Sequence, residues 1–578
     1  MKTIHIYFAI ICLLFTACTK ELEQSPESTA SKESIFGTVS GLETYVNSFY
    51  EILPSANSIV DSDDLSDYGA VKAPNDFLRA GAYGPQQSSG WDWGNLRNIN
   101  FFIANCTNPK VNADIRKEYI ALARFFRAWF YFDKVKRFGD VPWINYPMDV
   151  ADPALYNERD SRFMVMDSVL ADINYACQHI TKADDNTRSL ITKWVAYGLK
   201  SRICLYEGSI RKYHTRYNQQ STANAWFAEA AAAAREVMAG GYFSLNDSYR
   251  ALFNSEKPVA KEVMQSAICD LGLSVFNDAN WTWTSATFAA RFSFTRTFIH
   301  TYLNEDGTPF TNTPGYQTKT FMEEVKNRDN RLQQTIRMAG YKMLNGGVME
   351  DQPPAFSYTY TGYQPIKWVQ DDFSKNQDAY NTNSICRMRY AEMLLNYAEA
   401  KAEMGTLTDE DWAETIGALR KRAGITGGLN TKPTIADQYL VDNYFSDITD
   451  PVLLEIRRER GIELSLEGFR FGDIVRWHVG ELMTKPWNGF YVPALDTPLD
   501  LDENGVDDVY FTTSSPGPIS DVYSVNVSRD EFKLSNGTSG ELLWYTNIIR
   551  TFEEKNYLYP IPESDRLINP ALGQNPGW

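Results

Sequence analysis

Cysteine and histidine are scarce in this sequence, which has seven cysteines and five histidines among its 578 residues. The cysteines are widely spaced without any C-x-x-C pair, and no two histidines are close neighbours along the chain. Zinc sites and disulfide frameworks need such residues in clusters, so the pattern argues against both kinds of site. Cysteines in the body of the chain are instead expected to act as small buried hydrophobic residues.

Positive charge is also in deficit. Lysine and arginine number 56 against 73 aspartates and glutamates, which gives a net charge of −17 at pH 7. Proteins that bind nucleic acid neutralise phosphates with a basic surface, so this balance argues against that class of protein. Beyond the first twenty residues, no apolar run approaches the roughly 20 residues that a membrane-spanning helix needs.

Recognisable catalytic motifs are missing as well. The sequence contains no G-x-S-x-G, H-E-x-x-H, P-loop or G-x-G-x-x-G pattern, each of which accompanies a particular chemistry. We therefore predict that the protein is not an enzyme. Hydrolysis of a glycosidic bond remains an alternative, because it needs two carboxylates about 5–10 Å apart, and 73 acidic residues could supply such a pair.

The N-terminus has the form of a bacterial lipoprotein signal. One basic residue, Lys2, precedes an apolar run at residues 6–15, which is about half the length of a membrane-spanning helix. The run ends in the sequence FTAC, which resembles a lipobox and places its cysteine at Cys18. We predict a signal peptide at 1–17, acylation of the cysteine, and a polar tether at 18–40. An ordinary signal peptide with a chance cysteine is the alternative.

The rest of the chain has the pattern of a mainly α-helical protein. Residues 118–137 lack proline and glycine, and large apolar side chains recur along them at helical spacing. Amphipathic segments of the same kind occur at 163–180, 192–210, 223–239, 389–404, 410–422 and 451–466. Helix pairs with short turns are typical of TPR-like units. Two long intervening segments, 243–387 and 475–559, are predicted to form loops, short helices and small strands that carry the binding surface.

Six segments together resemble the SusD/RagB family of outer-membrane nutrient-binding lipoproteins of Bacteroidetes, and they occur in the family's order. They begin with WGNLRNIN at 93–100 and continue at 123–142, 327–332, 389–400, 456–473 and 557–577. The resemblance implies one SusD-like globular unit over residues 41–578, with TPR-like helix pairs as its scaffold. Its N-terminal part, 41–245, would be TPR-rich, and its C-terminal part, 246–578, would hold the loop insertions and further TPR-like helices. It also implies a lipid-anchored protein on the outer-membrane surface, with a SusC-like TonB-dependent transporter as partner.

Aromatic residues are abundant, with 14 tryptophans, 33 tyrosines and 32 phenylalanines. Aromatic rings flanked by polar side chains suit sugars, which present apolar faces and polar edges. The predicted ligand-binding residues are Asp76, Arg79, Tyr83 and Trp91 in one region, and Asn280, Trp281 and Trp283 in another. In an extended segment, alternation would place Trp281 and Trp283 on one face. Packing of these rings onto the helices is the alternative.

The sequence DLDENGVDD, which starts at Asp500, resembles a calcium-binding loop. Oxygen ligands at alternating positions and a glycine at the turn suit calcium, so the candidate ligands are Asp500, Asp502, Asn504 and Asp508. Position twelve of this loop holds Phe511 instead of the usual glutamate, and a solvated acidic turn is the alternative. No other cofactor is expected.

These features lead to three functional hypotheses. The first is a non-catalytic cell-surface protein that binds oligosaccharide or polysaccharide and delivers it to the transporter. The second is a surface glycoside hydrolase, and the third is a peptide-binding uptake lipoprotein of the RagB type. Aromatic platforms with amide and carboxylate edges favour a glycan ligand, whereas a strongly charged cleft would favour a peptide.

Overall fold

Residues 32–285 and 290–578 are described in a computed structural model of the protein, and α-helices dominate them. The α-helices are α1 (Lys32–Phe36), α2 (Val39–Asn47), α3 (Ala56–Val60), α4 (Gly94–Asn105), α5 (Ala113–Phe138), α6 (Arg162–His179), α7 (Lys193–Tyr213), α8 (Gln220–Ala239), α9 (Ala251–Asn254), α10 (Ala279–Thr284), α11 (Arg296–Ile299), α12 (Phe321–Val325), α13 (Tyr390–Glu403), α14 (Asp409–Trp412), α15 (Ala418–Arg422), α16 (Gln438–Asn443), α17 (Pro451–Glu463), α18 (Arg470–Trp477) and α19 (Glu563–Ile568). The predicted mainly helical fold is confirmed. Among these described residues, no helix combines the length and the apolar character required to cross a bilayer.

Helix α5 illustrates how the sequence builds the scaffold. Asn112 caps its start by accepting a hydrogen bond from the backbone N–H of Asp114 at 2.8 Å. Gly139 ends it with a φ of 74°, a conformation that favours glycine. Its broad apolar face is buried from Ala121 to Phe138. Helix α5 packs against α6 and α7 packs against α8, which confirms the predicted helix pairs.

Short strands supplement the helices and form small sheets. The strands are β1 (Gly69–Ala70), β2 (Val263–Ala267), β3 (Ser293–Phe294), β4 (Lys342–Asn345), β5 (Val348–Asp351), β6 (Ile385–Arg389), β7 (Trp487–Val492), β8 (Val509–Thr512), β9 (Tyr523–Asn526), β10 (Phe532–Leu534) and β11 (Gly540–Trp544). A three-stranded antiparallel sheet has the order β10–β11–β7, and β8 pairs with β9 in parallel. Both lie in the segment 475–559, where small strands were predicted.

A buried network of ion pairs connects helix α17 to Arg331 and to Arg389 at the end of strand β6. The Glu463 carboxylate accepts hydrogen bonds from Arg389 at 2.6 Å and from Arg331 at 2.8 Å. Arg331 also contacts Asp329 at 2.6 Å, and its side chain is completely buried. A buried charge is tolerated only when it is paired and hydrogen-bonded, and these arginines satisfy that condition. The arginine- and glutamate-rich sequence of α17 is therefore structural.

The folded part of the chain begins earlier than the sequence predicted. Residues 18–40 were expected to form a tether, but helix α1 lies within them, and Phe36 is only 4% exposed. The Phe36 ring packs 5.8 Å from the ring of Phe102, and Glu33 pairs with Lys110 at 2.5 Å. Burial of Phe36 therefore orders helix α1, although the polar residues around it led the sequence to predict an unstructured tether. Cys18 and the signal peptide lie outside the described residues.

Candidate functional site

A cleft with a volume of about 400 Å³ lies between residues 523–545 and the loops that contain Lys72, Arg291 and Tyr360. Strands β9 and β10 and the end of β11 border it, and we call it the aromatic cleft. The lining residues on which the argument depends are Lys72, Arg291, Tyr360, Tyr523, Arg529 and Trp544. Tertiary structure alone brings these residues together, because they span more than 400 positions of the sequence.

A stacked pair of rings forms the floor of the aromatic cleft. The rings of Tyr360 and Trp544 lie parallel, with centroids 4.0 Å apart and an interplanar angle of 10°. Trp544 also donates a hydrogen bond from Nε1 to the backbone carbonyl of Val71 at 2.8 Å, which positions the adjacent Lys72 at the cleft. The Tyr545 ring meets Trp544 edge to face at 4.8 Å. These contacts hold the aromatic surface in place before any ligand arrives.

Tyr523 differs from the floor residues because its ring is available to a ligand. The residue is 52% exposed at the start of β9. Within the described part of the chain, its side chain takes part in no hydrogen bond or ring contact. An exposed, uncommitted tyrosine at a cleft is a suitable stacking surface, because its ring is large and loses little conformational freedom on binding.

Two residues of the aromatic cleft have an unusual backbone conformation. Arg291 has a φ of 50° and Tyr545 a φ of 55°, in the left-handed region that residues other than glycine rarely adopt. Tyr545 is held there by its N–H, which donates to the Glu531 carbonyl at 2.6 Å. Backbone strain of this kind is concentrated at functional sites, where the surrounding structure maintains it.

Charged side chains in the aromatic cleft are mostly cationic. Lys72, Arg291 and Arg529 line it, and among the described residues Glu531 is the only carboxylate that does so. The Arg291 guanidinium lies over the Tyr360 ring, 5.6 Å from its centroid. Burial raises the pKa of the Tyr360 hydroxyl, and the positive charge of Arg291 acts in the opposite direction. The cleft thus combines aromatic faces with polar edges.

A second depression, with a volume of about 370 Å³, lies beside helix α4 and contains Trp91. We call it the Trp91 groove. The rings of Trp91 and Trp93 meet edge to face at 5.2 Å, and the side chains of Val150, Leu155 and Ile568 continue an apolar surface. Trp91 is partly buried against Phe138. This groove has fewer polar edges than the aromatic cleft, so it suits a sugar less well.

The other predicted residues of the first region lie apart from both depressions. Asp76 and Arg79 are exposed and form a salt bridge with each other at 2.8 Å. Tyr83 packs edge to face against Phe77 at 5.4 Å and against Tyr559 at 5.9 Å. None of the three predicted residues lines the aromatic cleft or the Trp91 groove.

The extended conformation expected for the second region is wrong, because Ala279–Thr284 forms helix α10. Residues two apart on a helix point in different directions, so Trp281 and Trp283 do not share a face. Trp283 is 1% exposed and belongs to the core, whereas Trp281 is partly buried and has contacts of its own. Asn280 is fully buried and donates to the Gln370 carbonyl at 2.9 Å. The alternative of packing therefore describes Trp283 correctly, and the buried Asn280 serves a structural role.

The predicted calcium loop brings three carboxylates together. Oxygen atoms of Asp500, Asp502 and Asp508 lie within 4.8 Å of one another. The fourth candidate, Asn504, uses its side-chain oxygen to accept the backbone N–H of Val506 at 2.7 Å. Burial, and then the nearby carboxylates, raise the pKa of Asp508 to about 6. A divalent cation would relieve this repulsion, so the three aspartates fit calcium.

Sequence reasoning named none of the residues that line the aromatic cleft, although the two segments predicted to carry the binding surface, 243–387 and 475–559, hold all of the lining residues except Lys72. Its residues belong to separate segments, and Trp544 reaches Val71 across 473 positions of the chain. The one local signal was the pair Trp544-Tyr545 at the end of a short apolar run, because aromatic residues are enriched in strands.

Comparison with known proteins relates the chain to the SusD family. Residues 256–578 match the SusD family. A curated relative, the SusD-like protein P2 of Formosa agariphila, is 22% identical over 512 residues, covering 84% of this chain and 93% of the relative.

Solved structures agree in fold. A SusD-like protein of Bacteroides fragilis superposes with a TM-score of 0.68 at 20% identity, covering 96% of this chain and all of that one. A SusD-like carbohydrate-binding protein of the same organism gives a TM-score of 0.69 at 21% identity, covering 93% of this chain and all of that one. The family match extends over more than half of the sequence, and the chain therefore belongs to the SusD family.

Proposed function

We propose that this protein binds a glycan in the aromatic cleft and does not cleave it. The observation that carries the proposal is the cleft itself, with an exposed Tyr523, a fixed Tyr360–Trp544 stack and charged groups at its edges. Sugar rings pack their apolar faces on such aromatic surfaces, while polar edges hydrogen-bond their hydroxyls. The Bacteroides fragilis structure described as a SusD-like carbohydrate-binding protein supports the same ligand class.

The composition of the cleft favours binding over hydrolysis. A glycoside hydrolase uses two carboxylates about 5–10 Å apart, whereas Glu531 is the single carboxylate among the described residues that line the cleft. A protein that only binds would leave its oligosaccharide intact. Product analysis of the binding samples tests this part of the proposal, and a shortened oligosaccharide would contradict it.

Calorimetric titration of the purified protein against plant, algal, microbial and host oligosaccharides tests the site. We expect saturable binding that Tyr523→Ala weakens by about threefold to tenfold, because a ring contact contributes about 0.5–1.5 kcal/mol. Tyr242→Ala is a matched control, since Tyr242 is 49% exposed and lines neither depression. Equal losses in the two variants would contradict the assignment of the site.

We also propose that the protein is anchored in the outer membrane through acylated Cys18 and passes its ligand to a SusC-like TonB-dependent transporter. The FTAC sequence and the family membership support this proposal. Cells supplied with labelled palmitate should label the protein, and Cys18→Ala should abolish the label. Gentle solubilisation of native membranes should recover the transporter together with the protein. A protein recovered without label and without a transporter would contradict both statements.

A structural calcium ion is a further proposal for the loop at residues 500–508. Three converging aspartates and the raised pKa of Asp508 support it. Hard oxygen ligands suit calcium, and ion binding would hold this loop beside strand β8.

A further inference from the structure

The charge of the aromatic cleft contrasts with the charge of the whole protein. The chain carries a net charge of −17, yet the described lining residues include Lys72, Arg291 and Arg529 against the single carboxylate of Glu531. Three of the four charged side chains that line the described part of the cleft are therefore cationic. A cleft of one sign on a molecule of the other concentrates ligands of opposite charge.

The positions of these cations relative to the rings matter for the kind of ligand. Arg291 lies over the Tyr360 ring, 5.6 Å from its centroid, and the Trp544 ring stacks on the same tyrosine with a centroid separation of 4.0 Å. Lys72 directly follows Val71, whose carbonyl accepts the Trp544 indole hydrogen bond. The cationic groups therefore border the same floor on which a sugar ring would pack.

Arg529 is the most available of the three cations. Its side chain is exposed, and within the described residues it forms no ion pair and no side-chain hydrogen bond. It belongs to the segment that joins Tyr523 on β9 to Phe532 on β10. A guanidinium offers paired N–H groups in a plane, a geometry that fits a carboxylate or a sulfate ester.

We propose that the glycan bound in the aromatic cleft is anionic and carries uronate carboxylates or sulfate esters, which the cationic side chains contact while a sugar ring packs on the aromatic side chains. This inference rests on the proposed glycan-binding function and specifies its substrate class. Neutral hydroxyls alone would not call for three cations at the edges of one cleft. The same charges would repel basic ligands, so the cleft would select anionic ligands by repulsion as well as by attraction.

Matched ligand pairs test the proposal. The protein would be titrated with uronic-acid oligosaccharides and with their carboxyl-reduced forms, and with sulfated oligosaccharides and their desulfated forms. We expect the anionic member of at least one pair to bind about tenfold more tightly than its neutral partner, and the responding pair identifies the anion. The preference should shrink as salt rises from about 0.05 to 0.5 M, because exposed charges are screened.

Variants of the cations complete the test. Lys72→Gln/Arg529→Gln should reduce the preference for the anionic member to about threefold or less, while leaving the melting temperature near that of the parent. Lys533→Gln is the control, because Lys533 is an exposed cation on β10 that does not line the cleft. A control variant that loses the preference to the same extent would overturn the assignment to this cleft.

The outcomes separate this inference from the function on which it rests. If neutral members bind as tightly as anionic ones, the anionic class is wrong while glycan binding stands. If no oligosaccharide of either kind binds, the proposed function is wrong, and this inference with it. If only an acidic peptide such as a glutamate oligomer binds, the cationic cleft serves peptide recognition and the glycan assignment is overturned.

Discussion

At the scale of single residues, burial separates the aromatic side chains that build the fold from those that can meet a ligand. Trp283 is 1% exposed, whereas Tyr523 is 52% exposed and lines the aromatic cleft. Trp544 has an intermediate role, because its indole N–H is satisfied by Val71 while its ring remains part of the cleft floor. Residue type alone does not reveal which role a ring takes, since both roles depend on neighbours far away in sequence.

Replacement of the buried tryptophan should affect stability first. Trp283→Ala removes a large side chain from a packed core, so we expect the free energy of unfolding to fall by about 3–5 kcal/mol. Tyr523→Ala removes an exposed ring and should change stability by about 0.5 kcal/mol or less. Urea denaturation followed by circular dichroism measures both values. Comparable stabilities in the two variants would contradict the division between core and ligand-binding rings.

The site residues predicted from the sequence illustrate what a residue-level pattern can and cannot supply. Asn280 was predicted to hydrogen-bond the hydroxyl groups of a sugar, and its side chain does form several hydrogen bonds. Its partners, however, are the Gln370 carbonyl and the Asn376 side chain, about ninety positions away. Asn280 therefore holds a loop in place and does not contact a ligand. Such partners are set by tertiary structure, which composition and spacing do not encode.

At the scale of elements, local sequence predicted six of the seven described helices of twelve residues or more, all except α4. The long apolar face of α5 was predicted over residues 118–137, because periodicity acts within a few residues, and the helix begins five residues earlier, after its cap at Asn112. Helix α10 was misread because its six residues are too few to display a helical period. The same limit applies to β9 and β10, whose pairing partners create the cleft.

The acidic loop at residues 500–508 gives a prediction that depends on pH. Asp508 has a pKa of about 6 in the folded protein against an ordinary value of 3.8. Its protonated form is therefore favoured by folding, and in calcium-free protein its contribution to stability declines as pH rises from about 4 through 6. Calcium should reverse this cost, because it binds the ionised carboxylates.

We therefore expect calcium to raise the melting temperature more at pH 7 than at pH 5. Asp508→Asn should raise the melting temperature of calcium-free protein at pH 7 and reduce its response to calcium. Asp447→Asn is the control, because Asp447 is an exposed aspartate outside the loop. Differential scanning calorimetry with and without chelator measures these effects. A calcium response that is unchanged in the Asp508 variant would exclude this loop as the site.

At the scale of the whole molecule, stability depends on carboxylates that are buried beside arginines. Burial alone would raise the pKa of Glu399, but the adjacent Arg476 lowers it to about 2. Glu324 likewise has a pKa of about 2, because His300 and Arg296 outweigh the effect of its burial. The fold and its family were predictable from the sequence, because many segments spread along the chain carry the resemblance. The ligand site was not, because it forms only where several distant loops come together.

These lowered pKa values set the response of the molecule to acid. A carboxylate whose pKa is depressed by folding stabilises the native state above its unfolded pKa of about 4.5, and that stabilisation is lost as pH falls from 4.5 towards 2. The melting temperature should therefore decline most steeply below pH 4.5. Glu399→Gln leaves Arg476 without its carboxylate partner on α13 and should cost about 3–5 kcal/mol at pH 7.

The deficit of the Glu399→Gln variant should narrow as pH falls from 4.5, because the parent protein progressively loses the stabilisation that the variant already lacks. Glu410→Gln, which alters an exposed glutamate at the start of α14, should track the parent at every pH. Thermal melts followed by circular dichroism between pH 7 and pH 3 compare the three proteins. A deficit that stays constant across this range would mean that the buried pairs do not control acid stability, and that the repulsion among titrating surface groups does.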